Sequence, residues 1–70
     1  MVHTAVQTFQ SLAAAEPNNP TFRMHLGMGL LQKGDHPKAR KEFQAALSAQ
    51  NSPEQEKRLR QLLADAGVER

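Results

Sequence analysis

The chain contains no cysteine, tryptophan, tyrosine or isoleucine. Without cysteine, neither a disulfide framework nor a cysteine-based zinc site can stabilise it. Its valines are isolated and only three in number, at positions 2, 6 and 68. Because β-branched apolar residues are the ones enriched in strands, their scarcity argues against a β-sheet. A core of leucine, alanine, methionine and phenylalanine instead predicts close-packed helices.

Length and charge set further bounds on the chain. Its 70 residues predict a single domain over 1–70, one that buries only about 60% of its unfolded surface. The formal charge of +2 is a mild excess. No apolar run reaches the about 20 residues that span a bilayer, and the first ten residues lack the pattern of a signal peptide. We therefore expect no membrane partner and a cytoplasmic location, or a periplasmic one for a fragment of an exported protein.

Apolar residues recur at steps of three and four in four segments, which predicts four helices. The predicted ranges are 3–15, 21–33, 37–50 and 52–66. Two prolines and an asparagine pair at 16–20 end the first helix, and Gly34 and Gly67 end the second and fourth. The apolar faces are Val6, Phe9, Leu12 and Ala13; Leu26, Gly27 and Leu30; Ala39, Phe43, Ala46 and Leu47; and Leu59, Leu62, Leu63 and Ala66.

Polar residues followed by proline predict the starts of three helices. Asn19 caps the second helix, and either Asp35 or His36 caps the third. Ser52 and Gln55 form the pattern of a capping box, in which the hydroxyl binds forward and the amide binds back.

The first and third predicted helices repeat one another. The matched pairs are Ala5 and Ala39, Phe9 and Phe43, and Leu12 and Ala46, and each pair is 34 residues apart. This offset is the period of the tetratricopeptide repeat.

The residues between these pairs extend the match, and the chain resembles the tetratricopeptide repeat family. The positions at the family's spacing are Leu26, Gly27, Leu30, Gly34, Asp35, Ala39, Phe43, Ala46 and Leu47. The resemblance implies an all-α fold of about four helices, with antiparallel helix-turn-helix pairs in a right-handed superhelix. It implies that residues 3–19 are the second helix of a partial repeat, 20–53 a full repeat, and 52–67 a C-terminal capping helix.

Three positions depart from the family pattern. Arg23 stands at the tryptophan position, Leu30 at the tyrosine position, and Asn51 at the closing proline. Gly27 and Phe43 fit it, and we interpret them as packing residues. The helix at 3–15 lacks the partner that a full repeat would supply, so we expect self-association or marginal stability.

The helix at 21–33 is apolar around more of its circumference than one neighbouring helix can cover. In the resembled family, the first helix of each repeat lines a concave groove that binds peptides. By that resemblance, the residues expected to bind a partner are Thr21, Met24, His25, Met28, Leu31 and Gln32. The alternative is that Met24 and Met28 pack within the protein. Replacing both with glutamate is expected to abolish association and spare the fold.

Few residues are candidates for metal binding or catalysis. His3, His25 and His36 have no second ligand at i+3 or i+4, so we expect no metal and no cofactor. No phosphate loop or serine elbow is present. The chain is hardly large enough for a desolvated pocket, so we expect no enzyme activity.

The sequence thus favours a module that binds a protein or peptide through an apolar groove. The alternative is a structural module whose same face assembles homo-oligomers. A third interpretation is nucleic-acid binding through the basic clusters at 38–41 and 57–60. It is disfavoured because glutamates stand at pairing distance on the same helices and no aromatic residue is placed to stack on bases. We therefore expect no nucleic-acid partner.

Overall fold

A computed structural model of the chain describes residues 2–67, with side chains from Thr4 onward. It contains four helices: α1 (Val2–Ala15), α2 (Pro20–Gln32), α3 (His36–Leu47) and α4 (Pro53–Ala66). No strand occurs between residues 2 and 67. The prediction of an all-α fold with four helices is confirmed. The His3 side chain lies outside the described part.

Side chains cap the helices at three of their starts, and a proline follows each cap. The cap bonds run from Thr21 N–H to Asn19 Oδ1 (3.0 Å), from Lys38 N–H to Asp35 Oδ1 (3.3 Å) and from Gln55 N–H to Ser52 Oγ (3.2 Å). Asp35, rather than His36, is therefore the cap of α3. Each bond satisfies one of the backbone donors that a helix start leaves free.

Helix α3 ends at Leu47, three residues before the predicted end, so that boundary prediction was wrong. The Asn51 side chain donates to the carbonyl oxygens of Ala46 at 2.8 Å and Ala49 at 2.9 Å. The first of these bonds is to a carbonyl in the last turn of α3, and the second is to a carbonyl just beyond the helix.

Gly34 turns the chain between α2 and α3. Its φ is +88°, in the left-handed region that glycine adopts without strain. The Asp35 N–H donates to the Leu30 carbonyl at 2.9 Å, and the Gly34 N–H donates to the Leu31 carbonyl at 3.0 Å. This is the Schellman pattern of a glycine-terminated helix.

The core lies mainly between α2, α3 and α4. Five residues are completely buried: Ala39, Phe43, Ala46, Leu59 and Ala66. Helix α1 contributes Val6 and Ala13, each 4% exposed. Along the chain α1 packs on α2, α2 on α3, and α3 on α4, and a smaller contact joins α2 to α4. Among the described helices α1 therefore has a single neighbour, and much of its surface faces outward.

Candidate functional site

An open groove runs along the side of α2 that α3 does not cover. Helix α2 is its floor, α1 forms one wall, and α4 contributes to the other. Its volume of about 470 Å³ falls within the usual range of ligand pockets, about 300–1,000 Å³. We call it the α2 groove. Its lining residues are Ala5 and Phe9 of α1; His25, Met28, Gly29, Leu31 and Gln32 of α2; and Leu62 of α4.

Gly29 allows the α1 wall to stand close to the floor. A Cβ atom at Gly29 would lie 2.8 Å from Val6 Cγ2, which is well inside van der Waals contact. The absence of a side chain there brings α1 near α2, and Phe9 follows three residues after Val6 on the same side of α1. Phe9 is thereby placed above the floor of the groove.

The Phe9 ring stacks on the imidazole of His25. Their centroids are 5.1 Å apart, and the ring planes make an angle of 23°. Both residues are partly buried. Aromatic contacts of this kind contribute about 0.5–1.5 kcal/mol beyond the area that they bury. The two stacked rings lie together at one side of the groove.

The α4 wall is positioned by a series of side-chain hydrogen bonds. The Thr21 hydroxyl, at the start of α2, donates to Gln55 Oε1 at 3.3 Å. The Gln55 amide donates to Asn51 Oδ1 at 2.8 Å, and Asn51 in turn donates to the end of α3. The back half of the predicted capping box would need Gln55 Oε1 as its acceptor, but that atom accepts from Thr21, and only the forward half forms. The bond between Thr21 and Gln55 joins the starts of α2 and α4, and α4 contributes Leu62 to the groove.

The structure brings together four of the six residues expected to bind a partner. His25, Met28, Leu31 and Gln32 line the α2 groove. Met24 does not, because it is 6% exposed and belongs to the core. Thr21 does not either, since its hydroxyl is bonded to Gln55. For Met24 the structure supports the alternative that its side chain packs within the protein.

The burial of Met24 also overturns one expected experiment. A glutamate at that position would place an unpaired charge in the core, which costs several kcal/mol of stability. The double change of Met24 and Met28 therefore cannot spare the fold. Met28 is partly exposed and lines the groove, so it is the position at which a charge tests the site.

Four lining residues were not among the expected site residues: Ala5, Phe9, Gly29 and Leu62. Phe9 and Leu62 belong to apolar faces that the sequence assigns to the core, and both are only half-buried. Leu62 lies at one edge of its apolar face, and that edge position is a signal that could have marked it. Phe9 lies between Leu12 and Ala13 on its face, so helical spacing gave no such signal for it.

The lining of the groove contains no aspartate, glutamate, lysine or arginine. Its polar side chains are His25 and Gln32. Elsewhere, His36 Nδ1 lies 3.3 Å from the Ala66 carbonyl at the end of α4, and Ser52 serves as a helix cap. Between residues 2 and 67, no group of three or more histidine, aspartate or glutamate side chains is placed to hold a metal ion.

The basic clusters at 38–41 and 57–60 are partly paired with acidic residues. Lys38 Nζ lies 3.8 Å from Asp35 Oδ2, and Arg60 Nη2 lies 3.3 Å from Glu56 Oε1. Glu42 pairs with Arg23 at 3.0 Å, across the α2–α3 contact. The surface of these helices is therefore a mixture of both signs of charge.

In the described range, 2–67, no helix has the length and apolar character needed to cross a bilayer. Comparison with protein-family models, with curated proteins and with solved structures gives no match for this chain.

Proposed function

We propose that this chain is a tetratricopeptide-like interaction module whose α2 groove binds a segment of a partner protein. The observation that carries the proposal is the groove itself. It is an apolar concavity of about 470 Å³ between three helices, with no charged residue in its lining. Interface centres are depleted of charged residues and enriched in aromatic residues and methionine.

The chemistry of the lining supports recognition of an apolar segment. Met28 is unbranched and polarisable, so it adapts to side chains of different shapes. Phe9, Leu31 and Leu62 add apolar area on both sides of it. His25 and Gln32 place polar atoms in the same lining, where they could orient a bound backbone. A bound segment thus gains its affinity from apolar burial and its direction from a few hydrogen bonds.

Three observations support the family part of the proposal. The period of 34 residues joins α1 to α3. The glycine turn at Gly34 lies between the two helices of the supposed full repeat. Gly27 and Phe43 meet at the contact of α2 with α3, as packing residues of such a repeat should. In that family the groove-lining helix is the first of each repeat, which here corresponds to α2.

A binding role is favoured over catalysis by the composition of the lining. The groove presents one imidazole, that of His25, and its ring is stacked on Phe9. No hydroxyl or carboxylate lines the groove beside it. A nucleophilic mechanism in which histidine activates a neighbouring side chain needs such a second group.

The test is a selection from a displayed library of peptides, followed by titration of the enriched peptides. Three proteins are compared: the unaltered chain, Met28→Glu in the groove, and Gln44→Glu on the exposed surface of α3. Both changes add the same charge. Peptides that bind the unaltered chain and the Gln44→Glu variant equally, and lose at least about tenfold in affinity for Met28→Glu, support the proposal. Enriched peptides that bind Met28→Glu as tightly as the unaltered chain would show that the groove is not the site.

A further inference from the structure

Charged residues are distributed unevenly along the chain. It has nine basic and seven acidic residues, of which only Glu16 and Arg23 precede residue 33. Arg23 is committed to a pair with Glu42 and to the Pro17 carbonyl. Helix α1 has no aspartate, glutamate, lysine or arginine at all. One end of the molecule therefore presents two uncharged features side by side, the outer face of α1 and the α2 groove.

The outer face of α1 continues directly from the wall of the groove. Ala5 lines the groove, and Thr8, Leu12 and Ala15 follow it at steps of three and four residues, which places them along one side of the helix. Ala5, Thr8 and Ala15 are exposed, and Leu12 is half-buried. The line extends along a helix of 14 residues, about 21 Å in length.

We infer that the α2 groove receives helix α1 of a second copy of this chain. The inference rests on the proposed function and names the partner of the same site. Inserting a helix into the groove removes one side of that helix from water, and burying an unpaired charge there is strongly unfavourable. The outer surfaces of α3 and α4 carry exposed charges, and α2 is the floor of the groove. Among the described helices, α1 is the one whose free surface carries no charged side chain, so its insertion into the groove buries no charge.

The position of α1 makes such a pairing closed and symmetrical. Helix α1 is a wall of the groove in its own copy and is also the helix that enters the groove of the other copy. Two copies related by a two-fold axis therefore make both insertions reciprocally. Each copy then contributes its groove and its α1 face to one interface. A stable interface of the smallest usual size covers about 600 Å² on each copy, about one-eighth of the 4702 Å² surface of this chain. The second copy also covers the side of α1 that has no neighbour within one chain.

The experiment is sedimentation equilibrium over a wide concentration range, with two variants of α1 that add the same charge on different sides. Thr8→Glu places the charge on the line from Ala5 to Ala15, and Gln7→Glu places it on the other side of the helix. Both original residues are exposed, so neither change disturbs the core. We expect a dimer for the unaltered chain and for Gln7→Glu. For Thr8→Glu we expect the dissociation constant of the dimer to rise on the order of 30-fold or more. This is the loss of affinity typical of a central interface residue.

A second pair of variants gives a readout that does not depend on added charge. The chain has no cysteine, so Thr8→Cys and Gln7→Cys each introduce a single thiol. Thr8 lies near the middle of α1, where antiparallel copies of the helix cross the two-fold axis. Mild oxidation should link Thr8→Cys into a covalent dimer much faster than it links Gln7→Cys.

A chain that stays monomeric at every concentration overturns this inference, and so do equal effects of Thr8→Glu and Gln7→Glu. Neither result affects the proposed function, which stands if selected peptides still bind the groove of the monomer. The proposed function fails separately, if Met28→Glu binds the selected peptides as tightly as the unaltered chain does.

Discussion

The ring of Phe43 fills the space that a side chain at Gly27 would need. A Cβ atom at Gly27 would lie 2.5 Å from Phe43 Cε1 and 2.8 Å from Cδ1. Phe43 is completely buried, so its ring has little room to move. This contact sets how closely α2 approaches α3, and therefore where the floor of the α2 groove lies.

Replacing Gly27 with alanine should destabilise the protein through that contact. Alanine gains about 1 kcal/mol over glycine inside a helix. Crowding a packed core costs about 1–3 kcal/mol, so we expect a net loss of about 1 kcal/mol in the free energy of unfolding. In a Phe43→Leu background the crowding should be relieved, and Gly27→Ala should become neutral or stabilising. Urea denaturation of the four proteins measures this, and an equal loss in both backgrounds would contradict it.

A substitution at Gly34 tests backbone strain without any steric contact, because a Cβ atom there would meet nothing within 4 Å. With φ at +88°, alanine at this position should cost about 1–2 kcal/mol, the penalty of a left-handed conformation. Asparagine tolerates that conformation better than alanine. The melting temperature should therefore fall in the order glycine, asparagine, alanine. An alanine variant that melts at the same temperature as the unaltered chain would show that the turn is not strained by a side chain.

The ion pair between Arg23 and Glu42 should contribute measurably to stability. Its side chains are 26% and 22% exposed and meet at 3.0 Å. A double-mutant cycle with Arg23→Met and Glu42→Gln should give a coupling energy of about 1 kcal/mol, the upper end for such pairs. The matched control is Arg60 with Glu56, whose side chains are 69% and 50% exposed. The coupling energy of that pair should be less than about 0.5 kcal/mol. A larger coupling energy there than for Arg23 with Glu42 would contradict the claim that burial strengthens the Arg23–Glu42 pair.

Asn51 should contribute more to the free energy of unfolding than Gln50, its exposed neighbour in the connection between α3 and α4. Its amide caps two carbonyl groups near the end of α3, and its oxygen accepts from Gln55. Asn51→Ala removes all three bonds, and we expect a loss of about 2 kcal/mol in the free energy of unfolding. Gln50→Ala, at an exposed position, should change it by less than about 0.5 kcal/mol. Comparable losses for the two variants, measured by denaturant unfolding, would show that Asn51 has no special role.

Features that depend on neighbours in sequence were predicted well. The caps at Asn19 and Ser52 and the glycine turn at Gly34 follow from bonds within a few residues, and the structure confirms them. The burial of Phe43 follows from helical spacing, because one apolar face must point inward. The family resemblance stays a prediction, since no comparison bears on it.

Features that depend on the placement of a distant helix were not predictable in the same way. Spacing at 100° per residue puts Met24 and Met28 on one broad apolar surface. Which of them is covered depends on how the other helices pack around α2, which contacts α1, α3 and α4. The same limit applies to Leu62, which lines the groove only because α4 packs beside α2.

The most direct test of the central claim, that the α2 groove is the binding surface, is residue-resolved NMR of the labelled chain. Amide and methyl resonances are followed as the protein is concentrated from the micromolar to the millimolar range, and again as a selected peptide is added. We predict changes that cluster at Phe9, His25, Met28 and Leu62, while resonances around Gln44 stay constant. Changes centred on the basic stretches at 38–41 and 57–60, with the groove resonances unmoved, would contradict the claim.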